Sequence, residues 1–120
     1  MLVDTSVWVD HLRNPNTLLS TRLDADMVWT HPFVIGELAC GNLSPRQKIL
    51  RMFSALRSMP LAEHDEVLKF VDDRKLHGAG LGWVDMHLLA SAHAARVPLW
   101  TLDKRLEAAA GMLDLAPGQN

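Results

Sequence analysis

The sequence predicts an α/β fold in which a central, mainly parallel sheet lies between layers of helix. Short apolar runs ending in polar turns (Leu2-Val3, Met27-Val28-Trp29-Thr30 and Val97-Pro98-Leu99-Trp100-Thr101) alternate with longer stretches whose apolar residues recur at helical spacing. The composition agrees, because 120 residues with 48% hydrophobic and 22% charged side chains suit one globular domain with its own core. Residues 1–115 are expected to form that domain, and Ala116-Pro117-Gly118-Gln119-Asn120 a loose tail.

The elements follow in chain order. Leu2-Val3 reads as a buried strand, and Ser6 as the cap of a helix through Val7, Trp8, Val9 and Leu12 that stops at Asn14-Pro15-Asn16. A helix over about Thr17 to Asp24 precedes the second strand, and Pro32 then suits the first turn of a helix through Phe33 to Ala39. Ser44-Pro45 reads as a cap before the longest amphipathic helix, with Ile49, Leu50, Met52, Phe53 and Leu56 on one face until Pro60. Glu63 to His77 is expected to be helical and to bury Val67, Leu68, Phe70 and Val71. The glycines of Gly78-Ala79-Gly80-Leu81-Gly82 then break the pattern. Trp83 to Ala95 is apolar nearly all round and predicts a helix through the interior. After the third strand, Asp103 starts a last helix through Ala110.

Charge and cysteine usage narrow the function classes. Twelve Lys and Arg against 14 Asp and Glu give a net charge of -2, so any nucleic-acid contact must be a local patch. The single cysteine, Cys40, makes no intrachain disulfide and is expected to be a small buried residue in a reducing, cytoplasmic setting. Met1-Leu2-Val3-Asp4 carries no basic leader, and no apolar run nears the roughly 18 residues of a membrane span.

The chemistry lies in the acids. Asp4 follows the first strand and Asp103 lies just past Trp100-Thr101, so both are expected on the carboxyl rim of the sheet, where open α/β sheets place functional groups. Glu37 and Asp85 are each a single acid in an apolar helical stretch, and an isolated buried carboxylate costs several kcal/mol unless paired or metal-bound. Each acid taken alone also fits a helix cap or first-turn role. Taken together they suggest one cluster whose repulsion a cation relieves, and all-oxygen donors favour Mg²⁺ or Mn²⁺ over zinc.

Four stretches in order carry a family resemblance: Val3-Asp4-Thr5-Ser6-Val7-Trp8, Gly36-Glu37-Leu38-Ala39-Cys40-Gly41, Gly80-Leu81-Gly82-Trp83-Val84-Asp85 with Leu88-Leu89-Ala90-Ser91-Ala92, and Leu99-Trp100-Thr101-Leu102-Asp103. Together they resemble the PIN-domain ribonucleases, specifically VapC-type toxins of toxin–antitoxin systems. The resemblance implies a compact α/β/α sandwich, Mg²⁺- or Mn²⁺-dependent endoribonuclease activity through a metal-activated water, a homodimer, and inhibition by a VapB-type antitoxin. By position, Asp4, Glu37, Asp85 and Asp103 match the family's catalytic acids, with Asp4, Asp85 and Asp103 as metal ligands. Ser6 and Thr101 match polar positions that support the first and last acids.

Other residues admit a functional and a plain reading. Arg46, Lys48 and Arg51, and Lys104 and Arg105 beside Asp103, suit RNA phosphates or a solvated helix face. Trp8, Leu12, Leu18, Leu19 and Leu23, or Met52 and Phe53, suit an antitoxin groove or the core. His11, His31, His64, His77, His87 and His93 contain no i, i+4 zinc pair and are expected to be mostly surface or capping residues. The four tryptophans are expected in the core, Trp83 least clearly. An aspartyl-phosphate phosphotransferase fits poorly, because Ser6 stands where that chemistry wants a second acid. The remaining alternative is a non-catalytic RNA-binding or scaffold PIN-like subunit.

Overall fold

The computed structural model describes residues 1–118. Strand β1 (Leu2–Val3) is central and fully buried, as its uninterrupted apolar pair requires of a strand covered on both faces. It pairs in parallel with β2 (Trp29–Thr30) on one side and β4 (Leu99–Trp100) on the other, with Leu2 opposite both Trp29 and Leu99. A further parallel strand, β3 (Arg57–Ser58), completes the order β3-β2-β1-β4. The chain therefore winds outward from β1 in both directions, and the end of β1 is the switch point where such sheets open a crevice. Asp4 is the first residue past that end.

Helices α1 (Thr5–Arg13), α2 (Thr17–Asp24), α3 (Pro32–Ala39), α4 (Arg46–Ala55), α5 (His64–Asp73), α6 (Trp83–Ala95) and α7 (Lys104–Met112) flank the sheet. Trp8 of α1 and Phe53 of α4, both fully buried, meet edge to face with ring centroids 4.7 Å apart. Helix α6 runs through the interior as its all-round apolar sequence demands, burying Met86, Leu88, Leu89 and Ala92. Its last turn ends on Arg96 in the left-handed conformation (φ 56°), which turns the chain into β4.

Several expectations are corrected. Ser6 does not cap α1; the helix begins at Thr5 with Asp4 at the cap position, and the Ser6 hydroxyl donates to the Asp4 carboxylate instead. Ser44 does not cap α4, whose cap position is Pro45 after a cis Ser44–Pro45 bond. Helices α4 and α5 both have ten residues, so α4 shares with α5 the place of longest amphipathic helix, while the all-round apolar α6 has thirteen. Helix α5 stops at Asp73 rather than His77: Lys75 turns left-handed (φ 55°) and the Leu76 N–H returns to the Val71 carbonyl, burying Leu76. Leu68 is exposed, while Val67 carries the buried face. Strand β3 was not expected, because Arg57 and Ser58 are exposed and the strand exists only through backbone pairing to β2.

Cys40 is exposed, since α3 ends there and turns it outward. His31 and His87 are buried rather than superficial, though His31 does cap α3 through its side chain. Trp29 and Trp100 are half-buried and Trp83 is exposed, so only Trp8 lies wholly inside. Of the tail, Ala116 and Pro117 line a cleft with Met1 and Leu18, and Gln119 and Asn120 lie outside the described residues. No helix among the described residues is long and apolar enough to cross a membrane.

Candidate active site

The buried carboxylate of Asp4 organises the crevice. Its Oδ2 accepts from the Ser6 hydroxyl on α1 and the Thr101 hydroxyl just past β4, each at 2.7 Å. Two hydroxyl donors offset part of the cost of taking the charge out of water. Ser6 and Thr101 lie 3.3 Å apart, so the three side chains form a closed triangle that ties the start of the chain to the last strand. Each hydroxyl is also tied to the backbone, since Ser6 Oγ accepts from Leu102 N–H and Thr101 Oγ1 from Asp103 N–H. Neither hydroxyl is free to rotate away.

Asp103 stands two residues beyond Thr101 and caps α7, its Oδ1 accepting from the Arg105 and Leu106 N–H groups at 2.9 and 3.0 Å. The cap fixes the carboxylate through one oxygen and leaves Oδ2 for another partner. Asp85 sits in the first turn of α6, where its Oδ2 accepts from Gly82 N–H at 3.1 Å. Its carboxyl is held above the usual aspartate range, chiefly by burial. The negative charges of Asp4, Asp103 and Glu37 add to the rise, against the opposing Gly82 hydrogen bond. Glu37 is exposed on α3, and its Oε1 accepts from the Thr5 hydroxyl at 2.7 Å.

Four acids from four separate segments thus share one electrostatic neighbourhood. No Lys or Arg among the described residues pairs with any of them, the salt bridges there being Arg57–Asp26 and Lys69–Asp73. Hard oxygen donors with uncompensated negative charge are the chemistry of a Mg²⁺-type ion. Among the described residues no three His, Cys, Asp or Glu side chains stand close enough to close around one ion. Such ions commonly take only one or two carboxylates and keep several waters, so the donor set fits a divalent cation held on one side by protein and open on the other.

The remaining candidates separate. Arg46, Lys48 and Arg51 are exposed on α4, where Arg46 makes a long 3.4 Å contact to the Gly41 carbonyl. Lys104 and Arg105 are exposed on the first turn of α7, beside Asp103. Trp8, Leu19 and Phe53 are core residues and form no groove; Leu12, Leu18 and Met52 keep exposed surface. A cleft of about 500 Å³ opens beside Glu37, lined by Thr5, Val9, Leu12, Leu38 and Ile49 among others. The sequence reading missed Thr5, whose hydroxyl holds Glu37. The available signal was its place in Asp4-Thr5-Ser6, three consecutive side chains able to hydrogen-bond.

The model of the family described as the PIN domain matches residues 1–112. The chain belongs to the PIN-domain family. Among curated proteins, Ribonuclease VapC32 from two strains of Mycobacterium tuberculosis is 47% identical over 110 residues, covering 91% of this chain and 89% of the relative. This places the PIN domain with the VapC-type members. A solved structure, PAE2754 from Pyrobaculum aerophilum, superposes with a TM-score of 0.66 at 18% identity, over 90% of this chain and 82% of that one. At that identity it shows the PIN fold alone, in agreement with the four-stranded parallel sheet flanked by helices.

Proposed function

We propose that this PIN domain is a divalent-metal-dependent endoribonuclease acting as the toxin of a toxin–antitoxin pair. The observation that carries the reading is the Asp4 triangle at the switch point of the sheet, with Asp103, Asp85 and Glu37 around it and no basic partner among the described residues. Asp4, Asp85 and Asp103 would hold Mg²⁺ or Mn²⁺ between them, in part through the ion's waters, with Glu37 as the fourth catalytic acid. The cation, when bound, supplies Lewis-acid polarisation of the scissile phosphate and a water that ionises near neutral pH. The protein's own part is placement. Ser6 and Thr101 fix which Asp4 oxygen faces the crevice, the α7 cap fixes Asp103, and the Gly82 amide fixes Asp85.

Arg46, Lys48, Arg51, Lys104 and Arg105 are the candidate contacts to RNA. The apolar cleft beside Glu37 suits a helix of a VapB-type antitoxin. We also propose a cytoplasmic homodimer, with residues 1–115 as one domain and 116–120 as its tail. The test is cleavage of RNA by the pure protein with Mg²⁺ or Mn²⁺, using Asp4→Asn and Asp85→Asn at unchanged fold. Loss of cleavage in both variants and in EDTA supports the reading; full activity in either rejects it.

The absence of a three-sided metal cage among the described residues favours one second reading, a non-catalytic RNA-binding or scaffold subunit. The EDTA arm separates the two, because a scaffold shows no metal-dependent cleavage to abolish.

A further inference from the structure

Of the five basic candidates, one lies against the loop that positions Asp85. Gly80 adopts a left-handed backbone (φ +79°), and a Cβ placed on it would lie 2.7 Å from Arg105 Nη1 and 3.0 Å from Arg105 Cδ. The Arg105 side chain therefore lies directly over the Gly80 backbone, in space that any larger residue would take. Two segments meet at this contact. Gly80 is two residues before Gly82, whose N–H holds Asp85, and the Arg105 N–H itself donates to Asp103. The guanidinium spans the gap between the loop that positions Asp85 and the helix that Asp103 caps.

No carboxylate among the described residues lies within 4.0 Å of that guanidinium, and it makes no hydrogen bond there. Its fork of donors thus rests against the Gly80 backbone with no protein partner among the described residues. A chain with net charge -2 has no general attraction for a polyanion, and a ring of acids repels one. The strand needs a local positive anchor. Guanidinium donors match two phosphate oxygens at once, whereas a lysine acts as a point charge.

We infer that Arg105, seated on Gly80, is a positioning residue that grips a backbone phosphate of the RNA next to the one presented to the acids. The inference rests on the nuclease reading for its substrate class, but its test reads binding rather than cleavage. A fluorescently labelled single-stranded RNA of mixed sequence is titrated against the full chain carrying Asp4→Asn, in EDTA, over a salt series. Adding Arg105→Ala should weaken binding about tenfold and flatten the salt slope by about 0.7, the value of one contact to a single-stranded backbone. Arg105→Lys should restore the slope but only part of the affinity. Gly80→Ala, which displaces the guanidinium, should weaken binding on its own and add nothing in the Arg105→Ala background.

Unchanged affinity and slope in Arg105→Ala, with an unchanged melting midpoint, would overturn the inference and mark the contact as loop packing. So would an equal loss in Arg105→Lys and Arg105→Ala with no change of slope. The two readings fail separately: an Arg105→Ala variant that binds and cuts RNA as well as the wild type sinks only the anchor. A protein that never cuts RNA, yet binds it through Arg105, sinks only the nuclease.

Discussion

Asp4 and His31 occupy equivalent places in the sheet. Each is the first residue past a central strand, Asp4 after β1 and His31 after β2, and their exposures are only 7% and 0%. Around Asp4 the chain brings two hydroxyls from opposite ends of the sequence. Around His31 it does not. The Nδ1 atom accepts from Phe33 N–H at 2.9 Å and so caps α3, but Nε2 has no partner among the described residues. Thr30 Oγ1, His87 Nδ1 and Ser91 Oγ share that condition, so four of the six such atoms among the described residues come from β2's end and one face of α6. The difference teaches where the protein supplies its own polar partners: around Asp4 it does, while one strand away several polar atoms have no protein partner among the described residues.

The largest effect should come from breaking the paired side. Asp4→Asn removes the charge while keeping the shape, and cleavage should fall about 10³-fold, equivalent to roughly 4 kcal/mol of lost transition-state stabilisation. Metal-dependent turnover, with circular dichroism to check the fold, measures this. An activity within tenfold of wild type would remove Asp4 from the chemistry.

Next comes His31, where stability rather than activity responds. His31→Ala deletes the α3 cap and leaves a hole in a closed site, for a loss of about 2–4 kcal/mol by urea denaturation. The same residue sets a pH dependence. Burial, with the charge of nearby His87 adding to it, lowers His31 from 6.5 to about 4. The unfolded chain therefore binds the extra proton first. Stability is held above pH 6.5 and lost as pH falls from there to about 4. The melting midpoint followed across that window should drop more steeply in the wild type than in a His31→Phe variant. Equal slopes would show that the imidazole tolerates protonation in place.

Smaller effects sharpen the contrast. Ser6→Ala and Thr101→Val each remove one donor to Asp4 and should each cost about 10-fold or more in activity or metal affinity. Because the two hydroxyls share one acceptor, the double variant should lose less than the product of the singles. Additive losses would mean that they act on different groups.

The smallest change is expected from Thr30→Val and Ser91→Ala, which replace unpartnered hydroxyls with apolar groups. Each should leave stability within about 1 kcal/mol of wild type or raise it. Losses well beyond that would show that these hydroxyls are satisfied after all.

Much of this arrangement is legible in the chain. Apolar pairs and triples ending in Asp or Thr specify the parallel strands, and Asp4 and Asp103 follow because strand ends in an open sheet point at the crevice, whereas Glu37 and Asp85 stand out as single acids on apolar helices. The bounds of α2 and α6 could be read from periodicity and flanking breakers, since their packing agrees with their propensity. What escaped depends on distant partners. Strand β3 has no apolar signature because its pairing uses backbone alone, and Ser6 looks like a cap until Thr101 arrives from 95 residues away. His87 reads as a polar interruption of α6, yet it is buried against Phe33 and Trp83 at ring distances of 4.7 and 4.9 Å. Arg105 reads as one more surface charge until Gly80 shows the space reserved for it.

The bond between Asp4 and Thr101 spans 97 positions. During synthesis the aspartate is made well before the hydroxyl that holds it and before Asp103 beyond. An interrupted translation product carries acids without their geometry. Under the proposed function, cleavage is thereby postponed until the chain has been made past Thr101 and Asp103.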